Sequence, residues 1–177
     1  MSFVTQTFSG FGRLFLIAAA SFSLLLGCTS DEEKLANFMK RGDEYKEAGQ
    51  LNEAIIEYRN VLQIDPNDAD AHRALANAYL NSNQLKEGYW ELSETIRLDP
   101  DDVDSRLAYA AISIAAENFE LALEQADEII QRSPDNAPGH LVRAGALDSL
   151  ERAEEAEPNL LRAVELEPDD SNYRIAL

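Results

Sequence analysis

Apolar residues recur along most of the chain at intervals of three and four, the spacing that places side chains on one face of an α-helix. From residue 35 onward these amphipathic stretches come in pairs separated by short polar turns. Each pair ends in a proline that closes one of four similar runs: LQIDP, IRLDP, IQRSP and VELEP. Proline lacks a backbone N–H and disfavours helix in the residue before it, so each run marks a helix end. The pattern therefore predicts an all-α chain of paired helices.

The four prolines share one spacing, so the chain divides into 34-residue units with proline at position 32. The units cover residues 35–68, 69–102, 103–136 and 137–170, and a fifth begins at 171–177. In each unit, helix A is predicted at positions 1–14 and helix B at positions 18–31. The Asp or Asn residues after each proline are suitable N-caps for the next helix A.

Small residues occupy the two positions where the helices of one unit are expected to cross. Position 8 and position 20 hold only Gly or Ala: Gly42, Ala76, Ala110 and Ala144, and Ala54, Gly88, Ala122 and Ala156. Large residues at positions 4, 7, 11, 17, 24 and 28 are expected to fill the space around that crossing. No unit can bury its apolar stripe alone, so neighbouring units must stack.

This register resembles the tetratricopeptide repeat, over 143 of the 177 residues. The resemblance implies an α-solenoid of about four helix-turn-helix repeats that curls into a right-handed superhelix with a concave groove. Two places depart from the pattern. Pro158 falls inside helix B of unit 4, which predicts either a late helix start near Glu157 or a kink. The fifth unit has no second helix, which suggests a truncated chain or a fragment of a longer array.

The N-terminus has the organisation of a secretory signal. Arg13 is followed by an uncharged apolar stretch, residues 14–27, that is shorter than the roughly 20 residues a membrane-spanning helix needs. Leu25-Leu26-Gly27-Cys28 resembles the bacterial lipoprotein box. An uncleaved anchor, or an ordinary signal in which the cysteine is incidental, is the alternative.

The lipoprotein resemblance implies that residues 1–27 are a removed signal peptide and that Cys28 becomes the first residue, carrying diacylglycerol and a further acyl chain. Residues 28–34 would form a lipidated tether, although Asp31, Glu32 and Glu33 also suit the start of a helix. Thr29 in place of Asp implies the outer membrane, facing the periplasm; the choice between inner and outer membrane stays open.

Composition argues against several function classes. The formal net charge of −18 opposes binding to nucleic-acid phosphates and anionic lipids. The sequence contains one Cys, and its two histidines, His72 and His140, both fall at position 4, where we expect packing residues with one hydrogen bond each. No phosphate-binding loop, catalytic triad order or calcium loop is present. We therefore expect no enzyme activity, no metal and no cofactor beyond the lipid on Cys28.

The repeat resemblance implies that helix A positions 2, 5, 9, 12 and 13 line the groove. The residues selected as the candidate partner-binding groove are Met39, Asp43, Arg73, Asn77, Leu80, Asn81, Leu107, Ala111, Ile114, Leu141 and Asp148. Arg73 and Asn77 resemble part of a peptide-carboxylate clamp, but Ala108, Pro138 and Val142 stand where other clamp residues would be. A carboxylate clamp is therefore not expected.

These observations favour a membrane-anchored, non-catalytic scaffold that binds protein or peptide segments during assembly of a cell-envelope, pilus, secretion or exopolysaccharide export system. The membrane would be reached only through the lipid, and no small-molecule substrate is evident. The alternative is a fragment or accessory subunit of a longer envelope enzyme or carbohydrate-binding protein whose chemistry lies outside this chain. The partner, the pathway and the oligomeric state stay open.

Overall fold

The computed structural model describes residues 30–169, and within that range it contains eight α-helices and no β-strand. The helices are α1 (Asp31–Glu47), α2 (Leu51–Ile64), α3 (Ala69–Asn81), α4 (Leu85–Leu98), α5 (Val103–Ala115), α6 (Phe119–Arg132), α7 (Ala137–Ser149) and α8 (Ala153–Leu166). Each helix packs against the next, and α5 also contacts α7. The predicted stack of four helix pairs is confirmed, with helix A of each unit in α1, α3, α5 and α7.

The predicted close crossings are present in every unit. All eight Gly and Ala residues at positions 8 and 20 are buried. A methyl group added at Gly42 would lie 2.7 Å from Cδ1 of Tyr58, and one added at Gly88 would lie 2.6 Å from Cδ2 of Leu80. These distances leave no room for a side chain, so the small residues allow each helix B to approach its helix A.

The turn between the two helices has the same conformation in all four units. Position 15 lies in the left-handed region in each, with φ between 60° and 72°, at Gly49, Asn83, Glu117 and Glu151. The next residue then donates its N–H to a carbonyl five positions earlier, for example Asn118 to Ser113 at 2.8 Å. This bond satisfies a carbonyl at the end of helix A and fixes the direction in which helix B leaves.

Helix A and helix B begin differently. The side chains of Ser30, Asp68, Asp102 and Asn136 each accept a hydrogen bond from a backbone N–H in the first turn of a helix A. The three caps that follow a predicted proline turn confirm the capping prediction. No helix B has a side-chain cap, so its start depends on the preceding turn and on packing.

Three local features differ from expectation. Helix α1 begins at Asp31, so it includes the last four residues of the segment predicted as a tether, 28–34. Helix α8 continues through Pro158, which rules out the late start near Glu157. Leu85, predicted to fill the core at position 17, is 52% exposed instead.

The predicted signal peptide, Cys28 and the start of a fifth unit at 171–177 lie outside the described residues. Among residues 30–169, no helix combines the length and the apolar character needed to cross a membrane.

Candidate functional site: the helix-A face

Helices α1 and α3 enclose a cleft on the side of the stack where the helix-A residues are exposed. Its volume is about 270 Å³, and its lining includes Met39, Asp43, Arg73 and Asn77. These four residues belong to the candidate groove, and the structure brings them together around one opening. Lys46, Asp70 and Ala74 complete the lining. We call this opening the α1–α3 cleft.

The charged groups of the α1–α3 cleft already have partners. The guanidinium of Arg73 pairs with Asp70 and, at 3.5 Å, with Asp102. Asp43 accepts hydrogen bonds from Lys46 Nζ at 3.1 Å and from the Tyr58 hydroxyl at 2.9 Å. A ligand entering this cleft therefore meets a mixed polar surface rather than free cations.

Asp43 also has a structural role that the sequence did not reveal. Tyr58 is fully buried in α2, and its hydroxyl reaches across to Asp43 of α1. Burial raises the pKa of the Tyr58 hydroxyl, and the hydrogen bond to Asp43 raises it further. The phenol therefore remains a neutral donor, and Asp43 joins the two helices of unit 1 while facing the cleft.

The remaining groove candidates are distributed over other environments. Leu80 is half-buried and its side chain packs against Gly88 of α4. Leu141 and Asp148 line a separate cleft of about 470 Å³ together with residues of α8.

Unit 3 supplies a more open surface. Ile114 is half-buried and its side-chain end faces Gly145 of α7, so it bridges units 3 and 4. Leu107 is half-buried, whereas Ala111 is exposed, as is Asn81 in unit 2. The candidates therefore form at least two clefts joined by exposed and half-buried residues, which we call together the helix-A face.

Comparison with known protein families supports the repeat register independently. The model described as "TPR repeat" matches residues 42–83, and the one described as "Tetratricopeptide repeat" matches residues 137–170. These two segments of the chain match tetratricopeptide repeats, and the described helix pairs have the same paired architecture in all four units.

Solved structures show the same fold at low sequence identity. A MamA fragment, "MamA 41-end from Desulfovibrio magneticus RS-1", is similar with a TM-score of 0.73 at 18% identity, covering 80% of this chain and 80% of that one. The crystal structure described as "MamA AMB-1 P212121" is similar with a TM-score of 0.68 at 21% identity, covering 80% of this chain and 78% of that one. No curated protein sequence matches this chain. At these identities the structural likeness establishes the fold of the tetratricopeptide stack.

The junctions between successive tetratricopeptide repeats carry a recurring polar contact. Position 4 of helix A hydrogen-bonds both to the proline carbonyl of the preceding turn and to position 23 of its own helix B. In unit 3, Arg106 donates to the Pro100 carbonyl at 3.0 Å and to Oε1 of Gln125 at 2.7 Å. In this way one side chain connects three elements of the stack.

The two histidines occupy the equivalent place in units 2 and 4. His72 is 3.1 Å from the Pro66 carbonyl through Nε2 and 2.6 Å from Oε2 of Glu91 through Nδ1. His140 makes the same pair of contacts with the Pro134 carbonyl at 2.9 Å and Asn159 at 3.2 Å. Each histidine therefore has two partners, and the expectation of one hydrogen bond each is wrong.

The partners at these junctions determine how many hydrogen-bond donors the residue at position 4 must supply. The Pro66 carbonyl can only accept a hydrogen bond, so Nε2 of His72 must be the donor in that contact. The contact between Nδ1 and Glu91 requires a second proton, which sits either on the ring or on the carboxyl group. Burial raises the pKa of Glu91, although the hydrogen bond with His72 lowers it in part. Arg106 supplies both donors without titrating in the ordinary pH range, even though burial lowers its pKa.

The buried polar groups of the junctions bind one another within the stack. Residues 30–169 contain no group of three or more His, Cys, Asp and Glu side chains placed to hold a metal ion. The titratable side chains at the junctions make contacts within the stack.

Proposed function

We propose that this chain is a lipid-anchored scaffold of the bacterial cell envelope that binds protein segments on its helix-A face. The observation that carries the proposal is the α1–α3 cleft, where side chains from two successive repeats converge on one opening. A ligand in such a cleft contacts two units at once, so an extended or helical protein segment fits the surface better than a small molecule.

The net charge of the whole chain, −18, bears on the choice of partner. Asp43 and Asp70 line the cleft and pair with its two cations, Lys46 and Arg73, so the lining itself is balanced. The excess negative charge lies on the chain around the cleft. We infer that the bound segment carries Lys or Arg side chains, which would accelerate its association through long-range attraction.

The anchor is supported by the sequence around Cys28 and by the position of helix α1. The first helix begins at Asp31, three residues after that cysteine. Two or three acyl chains hold a protein at a membrane where one does not. A lipidated Cys28 would therefore keep the stack close to the membrane surface, where parts of a pilus, secretion or export system assemble.

The anchor is tested by replacing the lipid acceptor in the native host. We expect Cys28→Ser to move the protein from the membrane fraction to the soluble fraction, and intact-mass spectrometry of the wild-type protein to show the added lipid. Wild-type protein of unmodified mass that retains residues 1–27 would refute the anchor while leaving the helix-A face untouched.

The binding face is tested with two exposed positions on helices A. Asn77→Arg together with Ala111→Arg adds bulk and positive charge where we expect a basic segment, so co-purification of the crosslinked partner should fall about tenfold or more. The matched control is Gln63→Arg with Gln131→Arg, which makes the same charge change at exposed positions of helices B. Equal losses in both variants would contradict a role for the helix-A face.

A further inference from the structure

A second surface, on the helix-B side of the stack, has the composition of a binding site. The chain contains one tryptophan, Trp90 in α4, and it is 57% exposed. Leu85 on the same helix is 52% exposed, and Ile56 of α2 is 57% exposed. Large apolar side chains with this exposure are costly to leave in water unless something covers them.

Trp90 lines a defined cleft. It has a volume of about 420 Å³, with Arg59 of α2, Tyr79 of α3, and Lys86, Tyr89 and Trp90 of α4 in its lining. Tyr79 is 3% exposed and forms the floor, and the Arg59 guanidinium carbon lies 5.5 Å from the centre of its ring.

Tyr89, one of the residues that line the cleft, packs against the next repeat. Tyr89 stacks on Tyr109 of α5 with ring centres 4.2 Å apart. On the other side of Tyr89 and Lys86 a second cleft of about 470 Å³ continues past Leu85 toward Ile112. We give the name Trp90 surface to six residues. Arg59, Leu85, Lys86, Tyr89 and Trp90 line these clefts, and Ile56 lies about one helical turn before Arg59 on α2.

The charges of the Trp90 surface set it apart from the rest of the described chain. Among residues 30–169, every lysine and arginine except Arg59, Lys86 and Arg106 forms an ion pair with a carboxylate. Arg106 is buried in the unit 3 junction. The two exposed cations without a carboxylate partner therefore line the same cleft, in a chain whose net charge is −18.

Two carboxylates, Glu87 and Glu91, also line the cleft, and neither forms a close ion pair with Arg59 or Lys86, although the charge of Arg59 lowers the pKa of Glu91 in part. Glu91 is 8% exposed and its Oε2 binds His72 on the inner side of α4. Glu87 also lines the cleft, but it forms no ion pair with Arg59 or Lys86 at the 4.0 Å limit that the other pairs satisfy. An incoming carboxylate would supply the partner that each cation lacks.

We propose that the Trp90 surface binds an acidic protein segment in which carboxylates are interspersed with apolar side chains. Carboxylates of the segment would pair with Arg59 and Lys86, and its apolar side chains would cover Trp90, Leu85 and Ile56. The exposed aliphatic side chains favour a peptide over a sugar, because sugar rings stack on aromatic faces but gain little from leucine or isoleucine.

This surface is distinct from the helix-A face. The helix-A face would take a basic segment and the Trp90 surface an acidic one, so the scaffold would hold two partners of opposite charge on opposite helices of the same repeats. The two sites have no lining residue in common. Failure of one site in an experiment therefore leaves the other unaffected.

The sole tryptophan makes the test direct. The probe is a synthetic peptide, acetyl-Glu-Leu-Asp-Phe-Glu-Leu-amide, which contains no tryptophan, titrated into the full chain while Trp90 emission is recorded. We expect a blue shift that saturates and that weakens when salt is raised from about 0.05 M to about 0.5 M, because the ion pairs are screened. The same peptide with lysine at the three acidic positions should leave the emission unchanged.

Matched variants locate the contact. Arg59→Gln with Lys86→Gln should weaken binding of the acidic peptide by about tenfold or more, since both charge-assisted contacts are lost. The control, Lys40→Gln with Arg97→Gln, removes the same charge from residues paired with Glu44 and Glu94, and should bind like the wild type. Circular dichroism of all variants verifies that the helices are retained.

Several outcomes would overturn the proposal. Unchanged emission at millimolar peptide, or equal affinity in both double variants, would exclude an acidic segment at this surface. If the peptide causes no change in emission but an oligogalacturonate, added alone, does bind, the site is assigned to an anionic sugar instead. A shift that depends on protein concentration alone, with dimers in sedimentation velocity, would make the occupant a second copy of this chain.

Discussion

At the scale of single residues, the stack depends on a few side chains whose roles are set by space and by hydrogen-bond chemistry. Gly42 lets α2 approach α1, and the buried hydroxyl of Tyr58 then reaches Asp43 at 2.9 Å. At the junctions, His72, Arg106 and His140 each join one repeat to the turn before it. Both kinds of contact are buried, so small changes there should have measurable effects on stability.

The crossing in unit 1 gives a sharp prediction. Gly42→Ala places a methyl group 2.7 Å from Tyr58 Cδ1, and Tyr58 cannot move without losing Asp43, so the free energy of unfolding should fall by about 1–3 kcal/mol. Gly145→Ala is the control, because its methyl group would lie 3.9 Å from Ile114. Denaturant unfolding of both variants measures the difference, and a neutral Gly42→Ala would show that the crossing is looser than described.

The unit 2 junction should make stability depend on pH. Burial raises the pKa of Glu91, so the folded state binds this proton more tightly than the unfolded state, and the contribution to stability is lost as pH rises through the folded pKa. The pair at the unit 3 junction, Arg106 with Gln125, has no such proton to lose.

The test transplants the unit 3 pair into unit 2. His72→Arg with Glu91→Gln should remove the pH-dependent component, so the variant should gain stability on the wild type as pH rises through the Glu91 pKa, by about 1–3 kcal/mol, on the order of one buried polar contact. Denaturant titrations across that range measure it, and the other acidic groups cancel between the two proteins. A difference that is independent of pH would contradict the shared proton.

At the scale of helices and turns, the four units form the same turn between their helices with different residues. Position 15 is left-handed in all of them, but only unit 1 has glycine there. Glycine adopts this conformation without the steric cost that a side chain brings. The first helix of each unit has a side-chain cap, while the second begins from this turn.

The turn predicts the effect of exchanging residues between units. Glu117→Gly should stabilise the fold by up to about 1 kcal/mol, because it relieves the left-handed strain, and Gly49→Glu should destabilise it by a similar amount. Thermal and denaturant unfolding of the reciprocal pair measure both effects. If both substitutions destabilise, the Glu117 side chain has a role beyond the turn.

Much of this element-level description could be predicted from the sequence. The proline spacing set the helix bounds to within about one or two residues after α1, as expected for helix-end assignments, and the Gly and Ala positions identified the crossings. The junction contacts could not be predicted, because the partners of position 4 depend on which faces meet after folding. A signal was present: His72 with Glu91, Arg106 with Gln125, and His140 with Asn159 recur in register as polar pairs 19 residues apart.

The candidate site was harder to predict than the fold. Four residues selected from the groove positions of the repeat family, Met39, Asp43, Arg73 and Asn77, lie together in one cleft of the structure. Leu80 was selected by the same rule but packs on Gly88, since a side chain at a helix edge can turn either way. The Trp90 surface was missed because position 17 was expected to be buried, and only the packing of α4 shows that Leu85 is not.

At the scale of the whole molecule, four stacked repeats present two surfaces of different chemistry. The cleft of the helix-A face is polar with paired charges, and the Trp90 surface is apolar with two cations that form no close ion pair. Because each repeat contacts mainly its neighbours, the stack keeps these surfaces at fixed relative positions. A tether at Cys28 would then hold both near a membrane.

The central claim, that the helix-A face binds a protein segment, is tested most directly by site-specific photocrosslinking in the native host. A photoreactive amino acid is placed singly at Asn77 and Ala111 on helices A, and at Gln63 and Gln131 on helices B, all of which are exposed. We predict a discrete crosslinked adduct with the same partner from both helix-A positions and no adduct with that partner from the helix-B pair. Adducts with that partner in equal yield from all four positions, or from the helix-B pair alone, would contradict the proposed scaffold.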